Sequence, residues 1–91
     1  MSVRVQMPPL LRTLTGGARE LSAEGRSVAD VISDLSRRHP LIARHVFDDE
    51  GHIRCSIVFL HDGTLVRAGE AADHSVRDGD EIVMTNALSG G

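Results

Sequence analysis

The sequence contains no tryptophan and no tyrosine, and Phe47 and Phe59 are its only phenylalanines. That argues against a nucleic-acid reader, which needs flat side chains on which bases can stack. Lysine is absent too: all ten cations are arginine, set against thirteen Asp and Glu for a net charge of −3. No overall positive field exists to hold a polyanion, so nucleic acid is not an expected partner. The single cysteine, Cys55, permits no internal disulfide, and a reducing cytoplasm is the expected location. No apolar run approaches the roughly 18 residues that span a bilayer, and Met1-Ser2-Val3-Arg4 leads into alternating residues instead of a signal-peptide core. No membrane association is therefore expected.

What is present is ordinary for a globular protein, with 41% hydrophobic and 25% charged residues, which excludes a disordered chain. A chain of this length forms one domain and buries about 60 to 65% of its unfolded surface. Such a thin two-layer core leaves little room for an enclosed active site.

Val3, Val5 and Met7 alternate with polar neighbours, the period of a strand with one buried face. Pro8-Pro9 ends regular pairing, because neither residue donates to a ladder. Leu10, Leu11 and Leu14 keep the connection partly buried, and Thr15-Gly16-Gly17 turns the chain into a weaker strand over residues 18–23, with Leu21 inward. Val28, Val31, Ile32 and Leu35 fall on one helical face, with Ser27 as N-cap, Asp30 in the first turn, Arg37 and Arg38 in the last, and Pro40 as stop. Burying those four side chains at about 1.5 to 3 kcal/mol each makes this helix the main plug of the core.

Leu41, Ile42, Val46 and Phe47 suggest one or two irregular helical turns before the charged turn Asp48-Asp49-Glu50-Gly51. Ile53, Cys55, Ile57 and Phe59 then alternate into a strand whose far end is apolar on both faces, as expected of a central strand. His61-Asp62-Gly63 signals a tight hairpin to a short strand at Leu65 and Val66. Residues 68–76 read as loop with a helical turn, and Asp78-Gly79-Asp80 feeds a last strand over residues 81–85. This order predicts an α+β fold of β-grasp (ubiquitin-like) type, a mixed sheet of four to five strands curled around one main helix. Residues 1–85 form its body and residues 86–91 a flexible tail.

That tail, Asn86-Ala87-Leu88-Ser89-Gly90-Gly91, would project roughly 20 Å when extended, far enough to enter another protein's active site. Glycine without a Cβ passes narrow channels and leaves its carbonyl open to attack. Gly91 is the expected reactive residue, Gly90 and Ser89 the threaded segment, and Leu88 the apolar anchor. No base, metal or phosphate loop adjoins the tail in sequence, so a partner must activate it.

A β-grasp body of this length with an Asp-Gly-Asp turn before the last strand and a Gly-Gly end resembles the ubiquitin-like sulfur carriers of the ThiS/MoaD family. Within it, Pro9-x-Leu11-Arg12-x-x-Thr15-Gly16-Gly17 resembles the long first loop of the carriers of thiocarboxylate-dependent cysteine biosynthesis, and Val31-Ile32-Ser33-Asp34-Leu35 resembles their helix. Carriers in this group often have a proline entering the tail, where this chain has Thr85-Asn86-Ala87. The resemblance implies a non-enzymatic role. An E1-like adenylating enzyme, using ATP and magnesium in its own site, converts the Gly91 carboxylate to an acyl-adenylate; sulfide or a persulfide then gives a thiocarboxylate. The sulfur passes to an acceptor synthase, in the cysteine branch an activated serine held on pyridoxal phosphate, and a zinc peptidase releases the product. No cofactor is bound by the chain itself. Alternatives are the small subunit of a molybdopterin-synthase-like complex, a protein-conjugating modifier joined through Gly91, and an interaction module with an inert tail.

Other residues admit chemistry but have plainer readings. Cys55 with His52 could form a nucleophile and base, yet the inward face of the expected strand makes Cys55 a small core residue. His39, His45, His52, His61 and His74 lack metal-ligand spacing and read as solvent-exposed. Thr15-Gly16-Gly17-Ala18 lacks a phosphate-loop lysine and reads as a turn. Asp48-Asp49-Glu50 and Asp78-Gly79-Asp80-Glu81 lack calcium-loop spacing and read as solvated turns. Arg37-Arg38-His39 reads as the end of a helix.

Overall fold

A computed structural model of the chain describes residues 2–86. Five strands and three helices follow one another as β1 (Val3–Gln6), α1 (Pro9–Arg12), β2 (Glu20–Ala23), α2 (Val28–Arg38), α3 (Pro40–Val46), β3 (Ile57–His61), β4 (Thr64–Arg67) and β5 (Glu81–Asn86), with 3-10 turns at Thr13–Thr15 and Ala68–Glu70. The sheet order is β2-β1-β5-β3-β4. β1 pairs parallel to β5, and every other neighbouring pair is antiparallel. This is the β-grasp expected from the sequence, and its last strand occupies the middle of the sheet.

Alternation decides which residues face the helices. Val3, Val5, Ile57, Phe59, Val66, Ile82 and Met84 point inward and are buried against Val28, Val31, Ile32 and Leu35 of α2. Facing pairs in the ladders, Val5 with Ile82 and Phe59 with Met84, stack the core in rows across the sheet. Ile42 and Val46 of α3 and Leu11 of α1 close its ends.

The first three amides of α2 are each satisfied. Val28 N–H donates to the His74 carbonyl, Ala29 N–H to the Ala71 carbonyl, and Asp30 N–H to Ser27 Oγ. Gly25 is needed just before it, since a Cβ there would lie 2.6 Å from the Val31 nitrogen and 2.6 Å from Asp30 Cβ. At the β3–β4 hairpin, Asp62 and Gly63 both take positive φ, 52° and 82°, as the two-residue turn requires.

The structure differs from the sequence reading at several elements. Pro9 does end pairing, but it also opens α1, because its fixed φ suits the first helical position. The turns at residues 40–46 are a regular helix, α3, again entered through a proline. β3 begins at Ile57, not Ile53: Arg54 N–H donates to the Val46 carbonyl and Ile57 N–H to the Arg54 carbonyl, closing a turn with Cys55 and Ser56 at its tip. Ile53 makes only an isolated bridge with Phe47. β3 lies between β5 and β4, while β5 holds the central place. β5 itself runs through Asn86, one residue past the expected end of the body.

Candidate functional site

The expected site residues Leu88, Ser89, Gly90 and Gly91 lie outside the described residues. What is described is the strand that precedes them in sequence. β5 is hydrogen-bonded on both sides, and its final pairs, Thr85 with Val58 and Asn86 with Ile57, hold the strand in register up to the last described residue. The tail therefore leaves from the middle of the sheet at the end where β3 begins.

The side chains of β5 that point away from the helices belong to a second surface. Glu81, Val83 and Thr85 lie on this outer face with Arg4 and Gln6 of β1, Val58 and Leu60 of β3, and Leu65 and Arg67 of β4. Leu60 and Leu65 face each other across the hairpin and are 38% and 50% exposed. Arg4 sits between Glu20 at 3.6 Å and Glu81 at 4.0 Å, and Gln6 Nε2 donates to Glu81 Oε2 at 3.1 Å. An apolar strip thus crosses the middle of this face, bordered by charge.

Cys55 is not in the core. It is exposed at the tip of the turn that precedes β3, and no inward-facing strand position exists there. The histidines also depart from expectation: His45 and His52 are exposed, but His39, His61 and His74 are half-buried. His61 Nε2 lies 2.8 Å from Asp80 Oδ2, and its Nδ1 lies 2.8 Å from His74 Nε2. A carboxylate only accepts, so His61 Nε2–H donates to Asp80, and in the neutral ring Nδ1 accepts from His74 Nε2–H. The Arg77 amide and then the His61 ring hold the Asp80 carboxyl below its ordinary range. Asp80 is therefore ionised at neutral pH.

These contacts join the end of β3 to the loop before β5. Their partners lie 13 and 19 residues apart in sequence, which no local spacing rule reports. Asp34 was also illegible as a structural residue. Nearly buried on α2, it accepts from the Glu24 amide and pairs with Arg37 and with Arg38 at 3.3 Å. Arg37 and Arg38 complete the helix end, as expected, through this carboxylate. Thr15-Gly16-Gly17 and Asp48-Asp49-Glu50-Gly51 are turns; in the latter Asp48 Oδ1 accepts from the Glu50 and His52 amides. Among the described residues no group of three or more His, Cys, Asp or Glu side chains is arranged to hold a metal ion. No helix among them is long and apolar enough to cross a membrane.

The ThiS family model matches residues 5–91. This chain belongs to the ThiS family. Among ThiS-family relatives, the sulfur carrier protein CysO of Mycobacterium tuberculosis is 31% identical over 94 residues, with 100% of each chain covered. Among solved structures, the Amycolatopsis orientalis BexX/CysO complex contains a chain with TM-score 0.80 and 31% identity, covering 98% of this chain and 99% of that one. The small archaeal modifier protein 1 of Methanosarcina acetivorans gives TM-score 0.79 at 29% identity, covering 99% and 96%. Both the fold and the family thus agree with the β-grasp reading.

Proposed function

We propose that this ThiS-family chain is a sulfur carrier whose Gly91 carboxylate is activated by a partner enzyme and converted to a thiocarboxylate. A carboxylate oxygen attacks the α-phosphorus of ATP and pyrophosphate leaves. Hydrosulfide then attacks the acyl carbon, AMP leaves, and a proton is released as the thiocarboxylate forms. ATP and magnesium belong to the partner's site. The observation that supports this reading is the central place of β5, the strand locked between β1 and β3 that precedes Gly90-Gly91 in sequence, in a chain whose family match runs through residue 91. The full-length likeness to CysO supports it, as does the occurrence of an Amycolatopsis CysO in a complex.

The sulfur then passes to an acceptor synthase. Thiocarboxylate-dependent cysteine formation, on an activated serine held by a pyridoxal-phosphate enzyme and completed by a zinc peptidase, is the pathway we favour, and the cytoplasm is its place. A second reading, conjugation of Gly91 to lysines of other proteins, draws on the likeness to the archaeal modifier protein.

Intact mass separates the two. Incubated with its adenylating enzyme, ATP, magnesium and sulfide, the carrier gains the mass difference of sulfur over oxygen at Gly91, and a chain lacking Gly90 and Gly91 gains nothing. Absence of that change with a partner that supports ATP–pyrophosphate exchange refutes the thiocarboxylate. Adducts on other proteins would favour the modifier.

A further inference from the structure

The contact between His61 and His74 has no part in the chemistry at Gly91. It ties the hairpin end of β3 to the segment that runs from the Ala68–Glu70 turn to β5. That segment also closes the start of α2. The His74 carbonyl accepts from the Val28 amide, the Ala71 carbonyl accepts from the Ala29 amide, and Ser75 bridges to Ser27. Movement at His74 is therefore felt in the first turn of the main helix.

The geometry is that of a shared proton. With ring centres 5.0 Å apart and ring nitrogens 2.8 Å apart, His61 Nδ1 and His74 Nε2 lie almost on the line between the two rings, whose planes cross at 87°. A metal ion held in line between them would set the nitrogens about 4 Å apart, at about 2.0 Å per bond. His61 Nε2 is committed to Asp80 Oδ2 at 2.8 Å, so Nδ1 is the one ring nitrogen left to gain or lose a proton. The His61 side chain is 15% exposed, so water does not readily replace its partners.

The surroundings favour positive charge. Asp62, Asp80 and Glu81 line the depression beside His61, and Glu70 and Asp73 line a second one with His74. Arg77 is the cation near Asp80. The partners of His61 on β4 and β5, Thr64 and Ile82, are uncharged, and at the start of α2 the Asp30 carboxylate is engaged by the Arg26 amide. Asp80 itself stays ionised at mildly acidic pH, since the Arg77 amide and then His61 hold its carboxyl low.

With no added proton, His74 Nε2–H donates to His61 Nδ1. One added proton needs no movement: it sits on His74 Nδ1, and the same Nε2–H then donates from an imidazolium, a stronger bond. A second proton must go to His61 Nδ1. There two N–H groups face each other across 2.8 Å with no acceptor between them, and two like charges stand ring to ring. We infer that His61 and His74 form an acid-opened latch, closed with no added proton or with one, and released by the second, which frees residues 71–79 and exposes the first amides of α2. Imidazoles ordinarily gain protons at about pH 6.5 and carboxylates at about pH 4, so the latch opens as pH falls between those ranges.

The test is amide hydrogen exchange at Val28 and Ala29, corrected for the intrinsic pH dependence of exchange, together with the ring-nitrogen shifts of His61 and His74. Wild type is compared with His74→Gln. Glutamine donates to His61 Nδ1 through its amide nitrogen and, turned over, accepts from a protonated His61, so it keeps the contact and never takes up the second proton. From about pH 7 to about pH 5, wild-type protection at Val28 and Ala29 is expected to fall about tenfold more than at Phe59 in mid-sheet, and within about twofold of Phe59 in His74→Gln. The two wild-type rings are expected to protonate in separate steps, with the loss of protection following the second. Equal losses in wild type and His74→Gln overturn the latch, as does protection that survives protonation of both rings. Should His74→Gln already lack protection at about pH 7, wild type decides alone: loss that tracks the second ring proton supports the latch, and loss that tracks the first overturns it.

Discussion

Asp80 does two jobs with one side chain: it accepts from the Arg77 amide to shape the turn into β5, and from His61 to bind the hairpin to that turn. Both contacts favour the ionised form, the amide first, so the folded carboxyl titrates below its ordinary value of 3.8. A depressed folded value means the stabilisation is in place above the unfolded value and is lost as pH falls through the folded one. Asp48 behaves in the same direction, held chiefly by the His52 amide. The denaturant midpoint of the wild type is expected to fall as pH drops below about 4. Asp80→Asn should flatten that limb relative to wild type; an unchanged limb would show that Asp80 contributes nothing there. None of this was visible in Asp78-Gly79-Asp80 as a string, which announced a turn but not that one of its carboxylates meets a histidine 19 residues earlier. Cys55 shows the same limit from the other side. Its alternation with Ile53 and Ile57 mimicked a strand, and only the bonds of Arg54 and Ile57 reveal a turn.

Among the elements, α2 was the most legible because it satisfies several independent requirements within 12 residues: an apolar stripe, an N-cap, an acidic first turn and basic residues at the end. The Ser27 cap is one of three partners that satisfy its first amides, and the only one supplied by a side chain. Ser27→Ala is expected to cost about 1 kcal/mol in chemical denaturation and Ser27→Asp to retain most of the stability. Equal losses in both would show that acceptance from the Asp30 amide is not what Ser27 contributes. The short helices were harder to read. α1 has four residues and α3 seven, too few for a 3.6-residue period to stand out, and in both a proline that signals a break also serves as the first helical residue. The strands β1, β4 and β5 were found in the right order and close to their observed bounds because each buries one face. The outer face was not anticipated as a surface, since Leu60 and Leu65 become neighbours of Val83 only when β3 pairs on both sides.

Taken whole, the molecule separates a recognisable body from a reactive end, and its composition protects that division. The 91 residues include no lysine, and arginine stays protonated and non-nucleophilic under any physiological condition. With sulfide withheld, an acyl-adenylate on Gly91 should therefore find no side-chain amine on another carrier. Denaturing electrophoresis with excess thiol reductant, which cleaves any thioester formed at the exposed Cys55, is expected to show no side-chain amide-linked carrier-to-carrier adduct for wild type, and to show one for Arg67→Lys, which places an amine on the exposed face. Adducts through wild-type side chains would contradict this. The strand order has a mechanical consequence as well. A partner that hauls on the chain beyond Asn86 pulls along the axis of β5, and the ladders to β1 and β3 resist in shear with all their bonds loaded together. An edge strand such as β4 has a ladder on one side only to share such a load. The protein can thus be gripped and tugged by its end through repeated rounds of use without coming unravelled.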